Sequence, residues 1–150
     1  MISFRTRPKG KYIQQASWQD LYILTEKWEH AIEFQVQEIE FLERLIEAYF
    51  IKLLLQENLD DLIMLQRDLA TAHVQAKRLL ERTQIHMTHI IDLLDSSLAL
   101  DAEAFRTQHA VLEDHTSDFV DVVKQLRFSV FKLTKSVLDQ DKPKYLWKYN

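Results

Sequence analysis

Residues 18–58 read WQDLYILTEKWEHAIEFQVQEIEFLERLIEAYFIKLLLQEN. Counting by sevens from Trp18 gives Trp18, Thr25, Ile32, Ile39, Ile46 and Leu53. Three residues after each stand Leu21, Trp28, Gln35, Leu42, Tyr49 and Gln56. Two mostly apolar rows at this spacing lie side by side on one face of an α-helix, and Glu26, Glu33, Glu40 and Glu47 form an outer row. The stretch is expected to be one amphipathic helix of about 38 residues, roughly 57 Å long at 1.5 Å per residue.

The same pattern continues on both sides of the next two breaks. Asn58 can cap a second helix, with Asp61 in its first turn; its inner rows are Leu59, Gln66, His73, Leu80, Met87, Leu94 and Leu62, Leu69, Ala76, Thr83, Ile90. Asp95, Ser96, Ser97 and Asp101 group cap and turn residues, so a third helix starts near Asp101 and carries Phe105, Leu112, Phe119, Leu126 and Leu133 inward. Glu113 to Asp118 are weak interior helix formers, and Thr116 or Ser117 could cap a separate fourth helix. Between Pro8 and Pro143 there is no proline, and after Gly10 no glycine, so nothing else interrupts helix. Short connections between long segments imply antiparallel neighbours. The expected fold is all-α: an elongated up-down-up bundle of three long helices, or one with the third broken near Thr116. Residues 1–16 form a basic N-terminal arm, 17–141 the bundle and 142–150 a basic aromatic tail.

Composition narrows the function classes. One glycine in 150 residues cannot supply a phosphate-cradling loop or a nucleophile elbow, and the absence of cysteine removes disulfides, thiol nucleophiles and thiolate metal sites. The N-terminus lacks the apolar run of a signal peptide, and the most apolar window, Leu45 to Leu55, contains Glu47 and Lys52 and is too short to span a bilayer. A cytoplasmic protein with no membrane span is expected. Arg5, Arg7, Lys9 and Lys11 precede the first acid, and Lys142, Lys144 and Lys148 follow the last. Removing these seven leaves 12 basic residues against 23 acids in residues 12–141, a balance of −11 within an overall −4. An acidic body with two small basic ends disfavours nucleic acid as the partner.

Six histidines raise a metal reading, because helical bundles can hold metals with inward His and carboxylate side chains. Folding the second helix on the third brings His86, His89, His109 and His115 toward one end, and these are the metal candidates. Yet none of the six has an acid three residues before it, as the Glu-x-x-His pattern of di-iron bundles requires. The histidines are therefore expected at the surface, with no cofactor and no catalytic residue assigned. Phe34, Phe41, Phe128 and Phe131 are more distinctive, because they fall outside the inner rows. Exposed apolar residues forming a second stripe mark a partner surface.

The run Trp28-Glu29-His30-Ala31-Ile32-Glu33-Phe34, followed by Glu38-Ile39 and Phe41-Leu42, resembles a loose group of small bacterial all-helical proteins of unassigned function. The likeness covers residues 18–95; it implies a long helical hairpin and a bacterial source, not an activity. The sequence thus points to a non-catalytic helical interaction or scaffold protein, self-associating or bound to another helical protein. The alternative is a metal-binding bundle with redox or hydrolytic chemistry at the histidine-rich end.

Overall fold

The computed structural model describes residue 7 and residues 10–56, 59–95 and 102–141. These are all-helical: α1 Tyr12–Gln15, α2 Trp18–Ala48, α3 Phe50–Gln56, α4 Leu59–Asp95 and α5 Ala102–Asp141, with no strand among the described residues. Ser17 starts α2, its hydroxyl accepting from the Asp20 backbone N–H at 3.1 Å. That satisfies one of the amides that a helix start leaves unpaired. The caps expected at Asn58, Ser96, Ser97 and Asp101, like the tail 142–150, lie outside the described residues.

Three apolar clusters hold the helices together. Ala16, Leu21, Ile90, Leu93 and Phe105 form one; Leu24, Trp28, Ile32, Ile39, Ala72, Ala76, Leu79, Leu112, Phe119 and Val123 form the middle one; and Leu42, Ile46, Leu53, Leu62, Leu65, Leu69, Val130 and Val137 form the third. The chain meets them in this order along α2 and α3, in the reverse order along α4, and in the first order again along α5. Each large apolar side chain removed from water in these clusters contributes roughly 1.5 to 3 kcal/mol.

Two breaks fall differently from expectation. α5 runs unbroken through Thr116, because the Thr116 hydroxyl donates to the Leu112 carbonyl at 2.8 Å inside the helix rather than capping a new one. Thr25, Thr83 and Thr134 are buried in the same way, bonded to Leu21, Leu79 and Val130 carbonyls. The first long helix is instead interrupted at Tyr49, whose φ of −108° and ψ of 12° lie outside the helical region. Tyr49 and Phe50 would point about 100° apart on a straight helix; unwinding at Tyr49 accompanies the packing of both rings against the same cluster.

The N-terminal arm is partly folded onto α5. Gly10 has φ +87°, a conformation that costs glycine little, and α1 follows it with Ile13 and Ala16 buried. Arg106 Nη1 donates to the Ile13 and Ala16 carbonyls at 2.7 and 2.8 Å, and its guanidinium lies 4.3 Å from the centre of the Trp18 ring. No helix among the described residues is long and apolar enough to cross a membrane.

Candidate functional site

Of the four histidine candidates, α4 and α5 bring two together in the core. His86 Nε2 and His109 Nδ1 are 2.8 Å apart, both residues buried. The His86 ring stacks on Phe105 at 4.5 Å and 6°, and the His109 ring packs on Trp28 at 4.6 Å. The surface position expected for these two is therefore corrected. Phe105, His109 and Leu112 follow helical spacing on the inner row of α5, and His86 stands three residues after Thr83 on that of α4. His89 and His115 are exposed and do not join them; His115 Nδ1 meets Arg82 Nη2 at 3.1 Å. His73, read on an inner row of the second helix, is half-buried, with Nδ1 3.0 Å from Glu43 Oε1.

Burial governs the protonation of the pair. Loss of water pushes His86 down to about 4, with the charge of His89 adding to the effect. It pushes His109 down to about 3, with His86, Arg7 and Arg106 as further causes. Both rings are neutral near pH 7, so a single N–H is shared between them and one ring accepts from the other. Among the described residues, His109 Nε2 and Trp28 Nε1 have no hydrogen-bond partner. A zinc ion held by both facing nitrogens needs bonds of about 2.0–2.1 Å to each, which a nitrogen separation of 2.8 Å cannot accommodate in a tetrahedral site. Among the described residues no three His, Asp or Glu side chains are grouped for a metal. A groove of about 320 Å³ between α4 and α5 reaches His86 and His89, but its other walls are mainly Ile85, Val111, Leu112 and polar side chains without a nucleophile–base pair.

Beside the histidines lies a buried ion pair that spacing did not reveal. Arg7 Nε and Nη2 donate to the two carboxylate oxygens of Glu113 at 2.5 and 2.7 Å, with Glu113 fully buried. The paired carboxylate raises the Arg7 pKa. The two residues are 106 apart in sequence, and no periodic pattern connects them.

The four phenylalanines are brought to one side of the molecule. Their exposures are 56% for Phe34, 50% for Phe41, 67% for Phe128 and 44% for Phe131. Arg127 Nη1 on α5 meets Glu38 Oε1 on α2 at 3.1 Å. Phe34 and Phe41 flank Glu38 at helical spacing along α2, while Phe128 and Phe131 follow Arg127 on α5. The ion pair thus lies at the seam between two aromatic stripes. Tyr12 and Ile13 of the N-terminal arm pack elsewhere, among the first two clusters and near Arg106; Phe4, Tyr145, Leu146 and Trp147 lie outside the described residues.

Comparison with protein-family models, with curated proteins and with solved structures finds no match.

Proposed function

We propose that this chain is a non-catalytic helical interaction protein that acts through helix–helix contacts, in the first place with itself. The order in which its helices meet the three clusters supports an up-down-up bundle of three long helices, α2 and α3 together counting as one. The observation that carries the function is the group of four exposed phenylalanines around the Glu38–Arg127 seam. Large aromatic side chains left in water on neighbouring helices are a liability in a monomer and an anchor in an interface. Chemistry is a weaker account of the same molecule, because its buried polar side chains are mostly satisfied by one another or by helix carbonyls. A bacterial, cytoplasmic setting belongs to the same proposal and rests on the sequence resemblance.

Sedimentation of the wild type and of the Phe34→Glu/Phe41→Glu variant tests this. The wild type is expected to sediment above its 17.9 kDa monomer mass at micromolar concentration, and the variant at the monomer mass with helicity unchanged by circular dichroism. Equal behaviour of the two proteins would remove the phenylalanine face as the contact.

A further inference from the structure

The N-terminal arm and the histidine pair meet on one stretch of α5. Glu113 stands four residues after His109, so the two side chains lie one turn apart on the same side of the helix, and both are fully buried. From the arm, Arg7 closes on the Glu113 carboxylate through Nε and Nη2. Arg106, three residues before His109, donates to the Ile13 and Ala16 carbonyls. His86 completes the cluster from α4, its Nε2 2.8 Å from His109 Nδ1. The other charged or titratable groups that act on the cluster are His89, which follows His86 on α4, and Asp114 and Tyr12, both near Arg7. The buried residues of α2 include no titratable side chain; that helix presents the Trp28 ring to His109.

The docked arm sets the charge of this cluster. Arg7 neutralises Glu113, and a proton on either imidazole would add a further cation to a poorly solvated site that already holds Arg106. Arg7 and Arg106 both oppose such a proton on His109. Withdrawal of the arm takes Arg7 away but leaves Glu113, which belongs to α5. The buried carboxylate then lacks this bidentate partner, and the imidazole one turn away stands beside a negative charge instead of a closed ion pair, which favours its charged form. The Trp28 ring, its centre 4.6 Å from that of His109, offers its face to the resulting cation.

We propose that Arg7 and a proton on the His86–His109 pair compete for Glu113, so that the arm docks near neutral pH and leaves a still folded bundle when the pair takes up a proton. One cation replaces another: each arm released corresponds to one proton bound, and the net charge around Glu113 is unchanged. The coupling is reciprocal, so removing Arg7 raises the pair's affinity for protons by the factor by which a bound proton weakens docking. Arg106 and Glu113, which hold the arm, share one stripe of α5 with Ser117, Lys124, Phe128 and Phe131, each reached from the last by a step of three, four or seven residues. Release therefore lengthens the uncovered part of that stripe, and nothing in the coupling depends on what then meets it.

Hydrogen exchange between pH 7 and pH 5, corrected for the pH dependence of intrinsic exchange, reads the arm and the bundle separately. Protection of the Ala16 amide, which donates to the Tyr12 carbonyl at 2.8 Å, is expected to fall by up to about tenfold per pH unit, the limit for one proton bound. The Ile39 and Ala76 amides are expected to remain those of a folded bundle. In His86→Phe/His109→Leu the Ala16 protection should be the same at both pH values. Imidazole proton resonances of the pair should titrate about one pH unit higher in Arg7→Met than in the wild type, and adding Glu113→Gln should remove most of that rise. Should Arg7→Met fail to fold, the exchange comparison still decides. Ala16 protection that ignores pH in the wild type, or falls equally in the histidine variant, overturns the coupling, and so do imidazoles that titrate alike with and without Arg7. Core amides that lose protection in step with Ala16 overturn it as well, because the proton then unfolds the whole bundle rather than freeing the arm.

Discussion

His86 Nε2 and His109 Nδ1 lie 2.8 Å apart between α4 and α5, with Phe105 against one ring and Trp28 against the other. A hydrogen bond between two neutral imidazoles in an aromatic cage gives the core an acid-labile point. Protonating either ring places a cation in a poorly solvated site beside another histidine, and for His109 near Arg7 and Arg106 as well.

Stability should therefore fall with pH. Above an ordinary histidine value of 6.5 both rings are neutral in folded and unfolded chains, and their contribution is complete. Between 6.5 and about 4 for His86, and about 3 for His109, the unfolded chain takes up protons that the folded chain refuses. The loss is on the order of a few kcal/mol at the acid end of that window. Urea midpoints from pH 7.5 to 4.5 should drop more steeply for the wild type than for His86→Phe/His109→Leu. Parallel curves would show that the pair is protonated in the folded protein.

The Arg7–Glu113 pair predicts an asymmetry between its two halves. Glu113 is fully buried in α5, whereas Arg7 is 13% exposed and belongs to the N-terminal arm. Arg7→Met leaves a buried carboxylate without this cation and should cost about 3 to 5 kcal/mol. Glu113→Gln, which keeps the shape and lets the arginine move toward water, should cost less. Its effect should instead appear as faster tryptic cleavage after Lys11. Thermal or urea denaturation ranks the two variants, and the reverse order would mean that the arm holds the charge more tightly than the bundle does.

Most inner positions were legible because spacing determines them, but the row Leu59, Gln66, His73, Leu80, Met87 and Leu94 is not an inner one: Leu59 and Leu94 are exposed, and Leu65, Ala72, Leu79, His86 and Leu93 are buried in its place. Trp28, Ile32, Ile39, Leu42, Ile46 and Leu53 are buried as the heptad count requires, and so are Leu62, Leu69, Ala76, Ile90, Phe105, Leu112 and Phe119. His109 occupies the same inner face as Phe105 and Leu112, but histidine is usually found nearer water; its chemistry outweighed its position. Thr116 was misleading for the opposite reason, since its local composition suits a cap while its place against the core favours a bond to the Leu112 carbonyl. The turn at Tyr49 has no glycine or proline to announce it and depends on how two adjacent rings pack. Arg7 and Glu113 meet only once the arm has folded back, a contact outside any periodicity.

The inner face can be checked by substitution. Trp28→Ala should cost about 3 to 5 kcal/mol and Ile39→Ala about 2 to 5 kcal/mol, because each leaves a cavity in the middle cluster. Glu33→Ala, at an exposed site, should fall within about 0.5 kcal/mol of the wild type. Chemical denaturation of the three proteins, with unchanged denaturant sensitivity, makes the comparison. A costly Glu33→Ala in the monomeric Phe34→Glu/Phe41→Glu background would contradict the assigned faces.

Arg106 provides the most local of these tests, because one planar side chain does three things. Its Nη1 donates to the carbonyls of Ile13 and Ala16, and its guanidinium covers Trp18. Lysine keeps the charge but is a single compact donor group that cannot reproduce the flat stacking surface together with both bonds. Arg106→Lys should therefore loosen α1 without removing any buried apolar group of the bundle, at a cost of about 1 to 2 kcal/mol. Hydrogen exchange separates this from general destabilisation. Amides of residues 13–16 should exchange faster in the variant, while those around Ile39 and Ala76 keep their protection relative to the new global stability. Uniformly faster exchange would mean that α1 unfolds together with the bundle, and that Arg106 ties the arm into one cooperative unit.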